Sequence, residues 1–213
     1  MEITWLGHSA FRLRGKEATV LTDPYGSEIG YVLGKVSADI VTVSHDHYDH
    51  NNVGAVTGSP KVISGPGEYE IRGVRITGIR TFHDSEGGLR RGKNTVYVIE
   101  LDDLVVAHLG DLGHVPTPEQ VQQMGNVDVL LIPVGGTFTI NAAQAAEVVN
   151  LVEPKIVIPM HYKTPSLKLD VDSADRFLRE MGVKQVEPQP KLVVNKGALP
   201  AETTVVLLVN QKG

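Results

Sequence analysis

The segment Ser44-His45-Asp46-His47-Tyr48-Asp49-His50 constrains this chain more than any other stretch. Three histidines and an aspartate fall within six residues, spaced His-x-His-x-Asp-His, directly after the apolar run Ile40-Val41-Thr42-Val43. That run reads as a strand, so the cluster begins where the strand ends. Imidazole and carboxylate are the nitrogen and oxygen donors that zinc and similar divalent ions take up. In a tight turn, alternating donors can face two neighbouring points. The alternative is a solvated polar turn.

Other ligand-type residues stand in the same context. His83 follows the run Val74 to Phe82, Asp111 follows Leu104 to Gly110, and His161 follows Ile156 to Met160. Strands whose carboxyl ends share one rim would gather these residues despite their separation in the chain. The expected division is His45, His47 and His83 for one ion, Asp49, His50 and His161 for the other, and Asp111 between them. A shared water can complete both shells, and an open, water-bearing site is the catalytic pattern rather than the closed structural one. His108 is the fallback ligand. It lies three residues before Asp111, so in an extended strand the two side chains point to opposite faces.

The rest of the chain supplies a frame for such a rim. Apolar runs bounded by Gly, Pro, Asp or Asn read as strands: 3–6, 11–13, 18–22, 40–43, 62–63, 74–79, 95–101 and 104–107. Two fully apolar strands follow at 129–132 and 156–158, and 204–209 reads as a closing strand. Helices alternate with these later strands. Thr117-Pro118-Glu119-Gln120 carries an N-cap, a first-turn proline and a Gln at the third position. Asn141 can cap a helix with Ala142, Ala145, Ala146 and Val149 on one face. Ala174, Phe177, Leu178 and Met181 repeat the helical period before Gly182. Strands first, then helices alternating with strands, predict an α/β sandwich of packed sheets with helices outside. No linker divides the chain, so residues 1–213 are expected to form one domain.

Composition narrows the class. Apolar residues make up 41% and charged residues 21%, ordinary for a soluble globular protein. No apolar run reaches about 18 residues, and Met1-Glu2-Ile3-Thr4 has no signal-like core, so a cytoplasmic protein without membrane insertion is expected. Cysteine is absent, which excludes disulfides and thiolate chemistry. A net charge of −5 disfavours a surface built for nucleic acid or anionic membrane. One Trp, six Tyr and four Phe also offer little for stacking single strands.

The segment His45 to His50, with Leu109-Gly110-Asp111 and Ile158-Pro159-Met160-His161-Tyr162, resembles the metallo-β-lactamase superfamily. The opening Trp5-Leu6-Gly7-His8-Ser9 and the step Thr22-Asp23-Pro24 are similar to its ascorbate-6-phosphate lactonase-like branch, which itself resembles the N-acyl-phosphatidylethanolamine-hydrolysing phospholipase D. The resemblance runs from Trp5 to Thr164. It implies a four-layer αββα sandwich with a dinuclear site on one edge, homo-oligomeric assembly, and the family's seven ligands at His45, His47, Asp49, His50, His83, Asp111 and His161. Asp111 separates the chain from true β-lactamases, which lack that bridging carboxylate. One departure is Gly110-Asp111-Leu112, where the branch reads Gly-Asp-Thr.

Several residues near this set are candidates for supporting roles. His8 follows the first strand and could orient a ligand or touch substrate. Asp23 could accept a proton from the far nitrogen of a ligating histidine. Arg91, Lys93 and Asn94, in a basic glycine-rich stretch past His83, could hold a phosphate or carboxylate. Tyr162 could hydrogen-bond an oxyanion, and His114 is expected in a loop near the mouth. Gly135-Gly136-Thr137 would let the backbone approach closely after a buried strand.

The function expected from these residues is hydrolysis. Two divalent ions, zinc foremost with manganese, iron or nickel as alternatives, would share a bridging hydroxide at neutral pH. Asp49 is the candidate proton carrier. Two dications against two carboxylates and a hydroxide leave a positive centre, which suits a small anionic lactone, ester or phosphodiester. Two other classes fit less well. One is a nuclease or phosphodiesterase acting on nucleic acid, and the other is a non-catalytic metal-binding sensor.

Overall fold

The computed structural model describes residues 1–211. In chain order, the first half forms β1 (Glu2–Gly7), β2 (Ala10–Arg14), β3 (Thr19–Thr22), β4 (Val36–Ser37), β5 (Ile40–Val43), β6 (Val56–Thr57), β7 (Lys61–Ser64) and β8 (Gly67–Ile71). Then come β9 (Val74–Phe82), β10 (Lys93–Leu101), β11 (Leu104–His108), α1 (Pro118–Met124), β12 (Val129–Pro133), α2 (Ala142–Val152) and β13 (Ile156–Met160). The chain closes with α3 (Asp175–Glu180), β14 (Leu192–Val193) and β15 (Thr204–Val205).

Two mixed sheets result. The first runs β14-β1-β2-β3-β5-β7, antiparallel from β14 to β3 and parallel from β3 to β7. The second runs β15-β13-β12-β11-β10-β9-β8, parallel from β15 to β11 and antiparallel beyond. Strands buried on both faces carry no polar alternation, and β12 and β13 are accordingly buried at every residue. In β5 the two faces separate: Ile40 joins the core between the sheets, whereas Val41 and Val43 join a second core on the outer face of the first sheet.

That outer core explains where the helices lie. α2 packs on β12, α1 on β9 and α3 on α2, so the helical layer covers the second sheet. The first sheet is covered instead by Tyr25, Ile29, Tyr31, Leu33 and Val36 from an irregular segment with one 3-10 turn at Ser27–Ile29. Pro24, Gly26, Gly30 and Gly34 break that segment too often for an α-helix. Both expected capping boxes are present, Thr117 with Gln120 and Asn141 with Gln144.

Some short elements differ from what the sequence suggests. The Gly65 to Glu70 stretch, which reads as a turn-rich loop, contributes edge strand β8, whose half-exposed Gly-Glu-Tyr-Glu-Ile shows little apolar alternation. The closing strand shrinks from 204–209 to Thr204–Val205, and Leu208 makes only an isolated bridge to Gln189. The short pairs β4–β6 and β1–β14 carry too few residues for a periodic signal.

Candidate metal centre

Within the first sheet β1, β3 and β5 run the same way, and in the second so do β9, β11 and β13. Their carboxyl ends release His8, Asp23, His45 to His50, His83, Asp111 and His161. Cross-sheet hydrogen bonds hold these ends together. The Tyr97 hydroxyl on β10 donates to Val43 O at 2.9 Å, Thr95 N donates to Ser44 O at 2.8 Å, and His161 N donates to His8 O at 3.2 Å.

The ligand-type side chains fall into the two expected groups. His45, His47 and His83 place their rings in a triangle with centroids 4.5, 4.7 and 5.1 Å apart. Asp49, His50 and His161 form the other group, with His8 among them, and each group could hold a metal ion. Asp111 lies between the groups. Its Oδ2 is 3.3 Å from His83 Nε2 and 3.9 Å from His45 Nε2 on one side, and 3.3 Å from His161 Nε2 on the other. Its Oδ1 is 3.3 Å from His50 Nε2.

The donors are aimed inward by Asp23 and Ser44. Asp23, fully buried, accepts from Ser44 N at 2.8 Å, Ser44 Oγ at 2.6 Å and His50 Nδ1 at 2.9 Å. Having given its proton to Asp23, the Ser44 hydroxyl accepts from His45 Nδ1 at 2.9 Å. One carboxylate therefore holds the proton on Nδ1 of a histidine in each group, directly at His50 and through Ser44 at His45, and turns both Nε2 atoms toward the centre. His45 Nε2 and Asp111 Oδ1 are buried without a hydrogen-bond partner, a cost that a cation between them removes.

Electrostatics set the charges of this donor set apart from one another. Burial, reinforced by His50, pushes the His45 imidazole down to about 3, and burial with His161 brings His8 down to about 4, so both are neutral near pH 7. Burial opposes ionisation of Asp111, but His161 and His50 outweigh it and hold the carboxyl well below its usual range. His50 moves the other way: burial is overcome by the carboxylates of Asp111 and Asp23, which push it well up.

Three residues of the site carry backbone strain. His8, Asp23 and His161 all take left-handed conformations, at φ 53°, 38° and 52°, each costing about 1–2 kcal/mol in an ordinary residue. Gly110, at φ 56°, packs so closely that a Cβ would overlap Asn94 Oδ1 and Ser44 Cβ. Gly135 meets the expectation for its stretch, since a Cβ there would overlap the His161 carbonyl.

A cleft of about 330 Å³ opens over the centre, lined by His47, Asp49, His83, Asp111 and His161 together with Arg91 and Phe138. Arg91 lies over the Phe138 ring at 5.3 Å. Its loop is pinned from within: Asp84 accepts from the backbone N–H groups of Glu86, Gly88, Arg90 and Arg91 at 2.8 to 3.0 Å. Lys93 lines a neighbouring groove that borders His45 and His47.

Four candidates take other places. Asn94 is buried and saturated, donating to Thr81 Oγ1 and Leu109 O and accepting from Asp111 N, so it positions Asp111 and cannot bind substrate. Tyr162 does not line the cleft; its ring stacks on Trp5 at 5.2 Å in the core, which removes it as an oxyanion donor. His108 spends both ring nitrogens, on Ser9 O and Gly110 N, and is no ligand. His114 bonds to Phe82 N and Val115 O beside the rim. The sequence does not announce Ser44 or Phe138. The signal for Ser44 is only its place between a strand and a candidate ligand, His45.

Comparison with known proteins places this geometry in a family. A sequence profile described as a beta-lactamase superfamily domain matches residues 2–161. A UPF0173 metal-dependent hydrolase of Methanopyrus kandleri is 31% identical over 215 residues, covering 86% of this chain and 94% of its own. Another, from Salinibacter ruber, is 31% identical over 212 residues, covering 85% and 94%. A crystal structure from Thermotoga maritima, described as a candidate Zn-dependent hydrolase of the metallo-β-lactamase superfamily, matches with TM-score 0.81 and 42% identity over 97% of each chain. With its two mixed sheets, few helices and His/Asp rim, the chain belongs to the UPF0173 metal-dependent hydrolase family of the metallo-β-lactamase superfamily.

Proposed function

We propose that the protein is a dinuclear hydrolase of a small anionic lactone, ester or phosphodiester, close in chemistry to the ascorbate-6-phosphate lactonase-like branch. The observation that carries this reading is the position of Asp111, whose oxygens lie 3.3 Å from imidazoles of both groups. Zinc is favoured by the all-nitrogen and oxygen donor set and by the Thermotoga maritima relative. Two such ions would bring a shared water toward ionisation at neutral pH and polarise a carbonyl or phosphoryl oxygen.

The chain's own residues do the rest. Asp111 fixes the spacing of the two groups, and Asn94 fixes Asp111 through its backbone N–H. Asp49, which lines the cleft, carries the proton toward the leaving group. Arg91, steadied by Phe138 and by the Asp84-bound loop, meets the substrate's anionic group. The nuclease and sensor readings gain no observation of their own.

The test is turnover of a chromogenic phosphodiester and a simple lactone, each with and without a negatively charged substituent. Arg91→Ala is expected to raise KM for the charged members by about tenfold, the loss of one charge-assisted hydrogen bond, and to leave the neutral ones near wild type. Equal effects on both would return Arg91 to a purely structural role. A metal-loaded wild-type protein inert on both substrate types would count against the hydrolase reading.

A further inference from the structure

His8 has no place in the seven-ligand set, yet its ring is fully buried inside it. Its Nε2 lies 3.1 Å from Asp49 Oδ2 and 3.1 Å from His50 Nε2, and those two atoms are 3.6 Å apart. Ligand atoms about 2.0–2.2 Å from one ion lie about 2.8–3.6 Å apart in shells of four to six ligands, and the observed triangle falls in that range. His161 offers a fourth atom within 4.8 Å of the other three.

Two further features bear on the role. His8 and His50 line neither the cleft nor the adjoining groove, so His8 lies beneath the floor and does not reach substrate. His8 is also fixed from the backbone side. It takes a left-handed conformation, and its carbonyl accepts from Trp5 Nε1 at 2.9 Å and from His161 N at 3.2 Å. These bonds tie β1 to the end of β13 and hold the ring over its neighbours.

We infer that His8 is an additional ligand, completing the shell of the ion held by Asp49, His50 and His161. The inference rests on the dinuclear reading above. It makes the two ions unequal. The ion with His8 is the more saturated, and the ion at His45, His47 and His83 keeps the open position, next to the groove that carries Lys93.

The test uses cobalt-substituted full-length protein, with ring signals counted by NMR on a histidine-labelled sample. Ligated imidazoles show hyperfine-shifted signals. The inference predicts six such rings: His8, His45, His47, His50, His83 and His161. His8→Ala should remove one set and weaken one of the two cobalt equivalents by about tenfold or more. Adding imidazole to His8→Gly should restore the missing set. His8→Asn, with circular dichroism alongside, serves if the smaller variants do not fold. Five shifted rings in the wild type, unchanged in the variants, would overturn the inference and make His8 a hydrogen-bond partner of Asp49. Absence of cobalt binding altogether would instead overturn the dinuclear reading, and His8's role with it.

Discussion

Replacing Asp23 by Asn tests whether one buried carboxylate orients both halves of the centre. The native carboxylate accepts three hydrogen bonds, two from Ser44 and one from His50. An amide of the same shape offers one acceptor oxygen and turns an NH₂ group toward at least one of these donors. Each hydrogen bond to a charged group contributes about 1.5–3 kcal/mol, and loss of such a partner typically weakens metal binding about 10–100-fold, or about 1.4–2.7 kcal/mol. Asp23 reaches His50 directly and His45 through Ser44, so both metal equivalents should weaken. Ser44→Ala leaves the Asp23–His50 bond in place and should weaken chiefly the equivalent held by His45. The assay is competition against a chromogenic chelator, with near-UV circular dichroism as the check on folding. Wild-type affinity at both equivalents in Asp23→Asn would refute the reasoning. Equal weakening of both equivalents by Ser44→Ala would refute the relay.

Two other outcomes follow from the surroundings. Burial opposes ionisation of Asp84, but the backbone N–H groups of Arg91, Glu86, Gly88 and Arg90 hold its carboxyl down at about 2, against about 3.9 unfolded. Its contribution is complete above the unfolded value and lost as pH falls through the folded one; the stability difference between wild type and Asp84→Asn should therefore be flat down to about pH 4 and vanish toward pH 2, and a difference that grows on acidification would contradict this. Gly110→Ala combines a left-handed backbone with overlap on Asn94 and Ser44, which predicts a loss of about 2–4 kcal/mol in urea unfolding; a loss below about 0.5 kcal/mol would show that the rim yields.

Much of this centre is legible in the sequence because its donors are clustered. His45 to His50 occupy one turn, and His83, Asp111 and His161 each follow an apolar run, so strand direction alone brings them to one rim. The helices are legible through their capping residues. What the sequence hides is the chemistry of single contacts. Nothing in Lys93-Asn94-Thr95 separates an amide that binds substrate from one that supports Asp111, because both begin at the same hairpin. Tyr162 follows the candidate ligand His161 yet turns into the core, as the left-handed backbone at His161 swings the next side chain onto Trp5. Edge strand β8 is hidden for another reason. An edge needs only half its hydrogen bonds and little burial, so its composition matches a loop.

The central claim is that Asp111 stands between two metal ions. Metal content per chain, measured on freshly purified wild type and on Asp111→Asn with hydrolysis followed alongside, tests it most directly. The account predicts about two equivalents in the wild type, one for each donor group that could hold an ion, with metal-dependent turnover, and loss of metal and turnover in the variant while the fold remains. One equivalent or none in the wild type, with no gain on adding zinc or manganese, would contradict it, as would wild-type turnover in Asp111→Asn.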